Sequence, residues 1–257
     1  PKIYGEPMVS ITDQGAWLQG VTVSGYSSIG ERPLLNSCGI LLSKTGGTVT
    51  NCVVDGVQGV DGPGIQQAGG LVVDTVVRNN SAPCQNINKR GGGVNLSGGL
   101  MTRCVITNND TVVLTGSLGG GAFVSGGTLE NSFVCGNECS GSAGGVCCVG
   151  GTVRNCLISD NTVWTAVAGV LVSESGRFYN NTIVGNGGTN GCASLNAALQ
   201  VEGATALVKN NIVWGNPDCA VQIAAAGEFV FCAVDMKKDE IKALEENYAK
   251  HECPVVS

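Results

Sequence analysis

The apolar residues of this chain recur in columns rather than in runs. Twelve-residue segments opening on Gly or another small residue begin at 15, 46, 69, 98, 126, 150, 175 and 205. The clearest is GGTVRNCLISDN at 150–161, echoed by GGLVVDTVVRNN at 69–80, GGLMTRCVITNN at 98–109 and GGTLENSFVCGN at 126–137. SGRFYNNTIVGN (175–186) and TALVKNNIVWGN (205–216) are degenerate copies, GGTVTNCVVDGV (46–57) lacks the final Asn, and GAWLQGVTVSGY (15–26) is fainter. The fourth residue of a segment is Val49, Val72, Met101, Leu129, Val153, Phe178 or Val208, and the ninth is Val54, Val77, Ile106, Val134, Ile158, Ile183 or Val213. Both columns are apolar without exception and so belong inside.

Around these columns apolar and polar residues alternate at a period of two, the period of a strand. Val94, Ala122 and Val146, then Leu96, Val124 and Cys148, alternate inward in a strand before the Gly-Gly pair, which is read as a corner. Another strand follows Gly-Gly, and a third follows a small-residue column of Cys52, Thr75, Cys104, Ser132, Cys156, Asn181 and Asn211. A short strand at Met8–Thr12 reads as a partial first coil. Val, Thr, Gly and Asn are strand and turn residues. Spacings between copies vary from 23 to 31 residues, and internal repeats of this kind, each unable to bury its apolar face alone, define a stacked solenoid. The expectation is all-β: a right-handed parallel β-helix of about eight coils over residues 1–235, with a C-terminal α-helical cap over 236–257.

The twelfth column is Asn80, Asn109, Asn137, Asn161, Asn186 and Asn216. Stacked at the strand spacing of about 4.8 Å, their amides can hydrogen-bond from coil to coil as a ladder. The same alignment sets Asp55 beside Arg78, Asp74 beside Arg103, and Glu130 beside Arg154. Such exposed pairs report register more than stability.

The remaining chain adds constraints. Asp239 to Glu252 places Ile241, Leu244 and Tyr248 on one helical face with acids early and Lys late, read first as the end cap a solenoid needs and second as a linker helix towards a further domain. Charged residues are 13% of the chain and the formal charge is −6, with no basic stripe for nucleic acid. No apolar run reaches the ~18 residues of a transmembrane helix. Because the chain begins at Pro1, a removed leader or a longer parent protein is expected. Of the cysteines, Cys52, Cys104, Cys156 and Cys148 fall inward. Cys84, Cys135, Cys139, Cys147, Cys192, Cys219, Cys232 and Cys253 fall in loops, outward or near the C-terminus, where Cys135–Cys139 and a tie from Cys219 or Cys232 to Cys253 are open pairings. One His and no C-x-x-C pair leave no zinc pattern.

With the columns in place, the GGG-V/A, GGT-V and I-x-x-N elements resemble the right-handed parallel β-helix repeats of secreted bacterial proteins. In particular they resemble the GGA-I and F-x-x-N repeats of chlamydial-type polymorphic outer-membrane proteins, with Phe133–Asn137 as a one-residue-longer variant. The resemblance covers roughly 15–216 and implies an extracellular or bacterial cell-surface protein. That fold carries both adhesin passenger domains and pectin-lyase-like enzymes.

Two functions follow. Val53, Val76, Val105, Phe133, Leu157, Thr182 and Ile212 alternate outward between two inward columns, forming an apolar stripe. The stripe is covered by a loop, buried by twist, or used as an interface for self-assembly, a glycan or a cell-surface protein. The other function is a polysaccharide lyase, needing a basic residue and carboxylates, with Ca²⁺ as its possible cofactor. Its residues would be Lys89, Arg90 and Asp61, drawn from a wider set with Asp55, Asp74, Arg78 and Arg103. The only His, His251, lies in the helix, and the NTD, DD and GHG motifs of pectin hydrolases are absent. A non-catalytic module, adhesin-like or structural, is the first expectation, with no resident cofactor or metal.

Overall fold

A computed structural model describes residues 7–25, 37–59, 61–83, 90–111, 116–164, 167, 169–188, 197–217, 219–224, 228–230 and 232–235. Strands pair in parallel between equivalent positions of successive turns, making the chain a β-solenoid. Nine first strands, from Val9–Ile11 to Cys219–Ile223, stack in one sheet, continued by the second strands from Trp17–Gln19 to Glu228–Val230. The third strands, from Thr22–Ser24 to Ala233–Val234, form a separate nine-stranded sheet. Four two-residue strands, Asp110–Thr111, Glu138–Cys139, Thr162–Val163 and Gly187–Gly188, form a small third sheet.

The stack therefore has nine rungs rather than about eight. The last, Cys219–Val234, has neither the Gly-Gly pair nor the terminal Asn, yet Phe229 pairs with Val208 and Val234 with Val213, extending both apolar columns. No helix occurs among the described residues. The expected cap over 236–257 lies outside them.

The corners also differ from the sequence reading. In two rungs a single strand, Val94–Thr102 or Ala122–Glu130, runs through the Gly-Gly pair, which is a bend and not a corner. Its glycines are needed for close stacking: at Gly127, φ is +68° and a Cβ would lie 2.6 Å from the Gly99 carbonyl oxygen. The sharp corners are single left-handed residues on either side of the third strand. Before it stand Asn51, Asp74, Arg103, Asn131, Asn155, Asn180 and Asn210, and after it Asn79, Asn108 and Asp160 alternate with Gly56, Gly136, Gly185 and Gly215. Each leaves the residue that follows pointing into the bore.

Those next residues form two buried polar columns. In the first, each amide of the Asn80–Asn216 column donates to the next Oδ1, at 2.9, 3.0, 2.9, 2.9 and 3.3 Å in order. The same Oδ1 atoms accept the backbone N–H one rung back, as from Asn109 to Asn137 at 3.0 Å. Val57 N–H donates to Asn80 Oδ1 at 2.9 Å, extending the ladder one rung below its first Asn. In the small-residue column, Ser132 Oγ accepts Cys104 N–H at 3.0 Å and Asn181 Oδ1 accepts Cys156 N–H at 2.9 Å. Buried corner amides thus find partners where no strand can supply them.

The fourth and ninth columns line the bore and are completely buried, Phe178 being the largest of these side chains. Each full burial of a Val, Leu or Ile contributes roughly 1.5–3 kcal/mol, so the apolar columns hold the stack while the amide columns fix its register.

Candidate functional site

The expected apolar stripe is present and in register. Val53 pairs with Val76, Val76 with Val105, Val105 with Phe133, Phe133 with Leu157, Leu157 with Thr182, and Thr182 with Ile212. Because the sheet is parallel and unbroken, these outward side chains stack along the axis. Phe133 and Ile212 are 52% and 47% exposed, and the valines and Leu157 are half-buried by their stacked neighbours. Trp214, 58% exposed, points out beside Ile212.

A loop cover exists, but on a different face. Outward from the first strands, Phe123, Cys147 and Leu171 are buried beneath Ala143, Val167 and Leu118. Cys147, expected in a loop or outward position, is thereby buried, and burial pushes its thiol pKa up. Arg90 borders this cover, its guanidinium 5.1 Å from the Phe123 ring centre.

The groups considered for catalysis are dispersed. Arg78 binds Asp55 at 2.8 Å, Arg103 binds Asp74 at 2.8 Å, and Arg154 binds Glu130 at 2.6 Å, the three inter-rung pairs that the alignment anticipates. The Asn79 amide at 2.8 Å, then Arg78, hold the Asp55 carboxyl below its ordinary value, and Arg103 does the same for Asp74. Asp61 Oδ1 accepts the backbone N–H of Arg90 at 3.0 Å, and its carbonyl accepts the Gln66 amide at 2.6 Å. That pair lies ahead of the first strands, whereas the ion pairs lie at the end of the second strands, at the corner, and at the end of the third strands. Lys89 lies outside the described residues. Among the described residues, no three His, Cys, Asp or Glu side chains stand together as metal ligands, and no helix is long and apolar enough to cross a membrane.

Cys38, Cys52, Cys104, Cys135, Cys139, Cys147, Cys148, Cys156 and Cys232 are free thiols. Cys135 and Cys139 do not pair: Cys135 lies by the Thr107 hydroxyl at 3.5 Å, and Cys139 is buried beside the Ser117 hydroxyl at 3.3 Å. One is on the third strand and the other on the small sheet beyond the corner, so nearness in sequence does not bring them together. Burial pushes the inward thiols up, Cys148 and Cys156 to about 12 and Cys104 to about 11. Cys38 is also buried but lies outside the repeat columns, so it was not legible as a core residue; burial likewise pushes it up to about 12. Cys84, Cys192 and Cys253 lie outside the described residues.

Sequence reasoning also missed a groove beside the stripe. Asn131, Asn155 and Asn180 at the left-handed corner line it on one side and Phe133, Leu157 and Thr182 on the other, with a volume of about 410 Å³. The sequence signal is the residue just before the small-residue column, which is Asn in four successive rungs.

The fold defines a parallel β-solenoid held by an asparagine ladder. No family model, curated protein or solved structure matches the chain.

Proposed function

We propose that this chain is a non-catalytic recognition module, adhesin-like or structural, that binds a glycan or a protein at an extracellular or bacterial cell surface. One observation carries the reading: the register-locked apolar stripe leaves Phe133 and Ile212 about half exposed, at 52% and 47%, on an otherwise well-satisfied scaffold. A contiguous exposed apolar surface is characteristic of an interaction site, and a rigid stack presents it without further ordering of the backbone. The likeness of the GGG-V/A and I-x-x-N repeats to the right-handed β-helix repeats of polymorphic outer-membrane proteins supports the surface location, and the 239–252 segment suits a helical end cap.

The test is a screen of the purified chain against acidic polysaccharides with Ca²⁺, following unsaturated products by ultraviolet absorbance and recording binding in the same samples. Binding or self-association without product is expected, and Phe133→Asp removes it. Product formation lost in Lys89→Ala or Arg90→Ala would overturn the reading in favour of a lyase.

A further inference from the structure

Beside the apolar stripe runs a column of polar side chains, most of which the fold leaves unused. The left-handed corner before the third strand is Asn131, Asn155, Asn180 and Asn210 in four successive rungs, all exposed. Asn131 donates to the Thr102 hydroxyl at 3.4 Å. The side-chain amides of Asn155, Asn180 and Asn210 have no hydrogen-bond partner among the described residues. Backbone geometry alone does not demand asparagine here. At the corner after the third strand, under the same φ constraint, three of these four rungs use Gly136, Gly185 and Gly215.

Both rims of the groove are uncharged. On the adjoining second strand, Arg154 is held by Glu130 at 2.6 Å and reaches the Tyr179 hydroxyl at 3.5 Å, leaving its charge paired. One rim is therefore a row of amides, each with donors and an acceptor to offer, and the other is Phe133 and Leu157 followed by the hydroxyl-bearing Thr182. That combination matches a pyranose chain, whose sugars have apolar C–H faces and a rim of neutral hydroxyls. Resting on the recognition reading above, we infer that this groove binds an uncharged polysaccharide laid along the solenoid axis. Phe133 and Leu157 would take sugar faces while Asn155 and Asn180 hydrogen-bond successive hydroxyls. Three rungs at about 4.8 Å span on the order of 10 Å, room for about two or three sugar units. An acidic glycan finds no cation on either rim. A second copy of the chain would cover Phe133 and Ile212 but has no need of an amide on every rung.

Native affinity gels containing dextran, galactomannan or mixed-linkage β-glucan, run beside gels containing polygalacturonate, test this. Retardation by at least one neutral polymer is expected. Asn155→Gly and Asn180→Gly keep the left-handed backbone and remove the side chain with its amide. Each should weaken retardation about three- to tenfold, as loss of one hydrogen bond predicts. Phe133→Ala should weaken it about tenfold or more. Asn51→Gly, at the equivalent corner beyond the Asp74–Arg103 pair, should leave it unchanged. Retardation only by polygalacturonate, or by neutral polymers but indifferent to both Asn→Gly changes, overturns the inference and leaves the recognition module standing. So does self-association that Phe133→Asp abolishes and the Asn→Gly changes do not affect. Neither retardation nor self-association overturns both.

Discussion

Two columns of asparagine flank the nine-stranded sheet of third strands, Asn131–Asn210 before it and Asn80–Asn216 after it, and they have opposite fates. In the inner column Asn137 uses its whole amide: Nδ2 donates to the Ile106 carbonyl at 3.0 Å and to Asn161 at 2.9 Å, while Oδ1 accepts both nitrogens of Asn109 at 3.0 Å. In the outer column Asn155 is exposed and its amide bonds to nothing in the described chain. The residue type is the same; the step of the corner differs. A left-handed residue turns its own side chain outward and the next residue inward, so each corner displays one side chain and buries the following one. Asn suits the displayed position because it tolerates positive φ. It suits the buried position because a planar donor–acceptor group repeats well at strand spacing.

The largest effect separating the columns should come from the ladder. Asn137→Ala leaves the buried Asn109 N–H without its acceptor and breaks the amide chain in mid-stack. With two or more buried groups orphaned at about 1–3 kcal/mol each, the loss should be roughly 3–5 kcal/mol. A large fall in the urea midpoint measures it, and a fall of under 1 kcal/mol would mean that water replaces the amide and the ladder is decoration. The small-residue column should show a weaker form of the same effect. Ser132→Ala strands only the Cys104 N–H, now 3.0 Å from Ser132 Oγ, and should cost about 1–3 kcal/mol. Ser132→Cys distinguishes hydrogen bonding from packing, since it keeps a small side chain but offers a poorer acceptor.

Much of this was legible in the residues because a buried column has to repeat. Val49 to Val208 and Val54 to Val213 are apolar in every copy, the ladder Asn repeats six times, and opposite charges at Asp55/Arg78 and Glu130/Arg154 fix the register. The ninth rung escaped because its column residues, Phe229, Cys232 and Val234, follow a lone Gly227 instead of a Gly-Gly pair and no ladder Asn closes the segment. Gly-Gly was read as a corner in every coil, yet in two rungs the strand runs through it, because glycine permits close stacking as well as tight turning. The groove escaped for a related reason. An outward column has no bore to satisfy, so Asp74 and Arg103 occupy the same place as Asn131, and the column becomes visible only once the corner geometry shows which residues share an edge.

The ion pairs lie between the two columns in effect. Asp55 is held below its ordinary pKa by the Asn79 amide and then by Arg78. The unfolded chain therefore takes up a proton on this residue at higher pH than the folded chain does. The pair's contribution is complete above the ordinary aspartate range, near pH 4, and is lost as pH falls through the lower folded value. Asp55→Asn should cost no more than about 1 kcal/mol at pH 7, with the difference from the parent shrinking at pH 3. A cost that grows on acidification would reverse the assigned direction.

The smallest stability effect is the one that sharpens the comparison most. Asn155→Gly removes an exposed amide at a residue with φ of 54°. Glycine takes that conformation without strain but has a more flexible unfolded state, and the two effects offset to within about 0.5 kcal/mol. Asn155→Ala keeps the unfolded chain stiff and leaves a Cβ in the left-handed region without the asparagine side chain that makes it tolerable, so it should cost about 1 kcal/mol. Thermal melts of the two variants thus separate what the corner requires from what the side chain offers. If glycine is neutral for stability and still weakens retardation by a neutral polysaccharide, the outer amide serves the ligand and not the fold. If glycine destabilises as much as alanine, the amide is holding the corner itself, and the contrast between the two asparagine columns disappears.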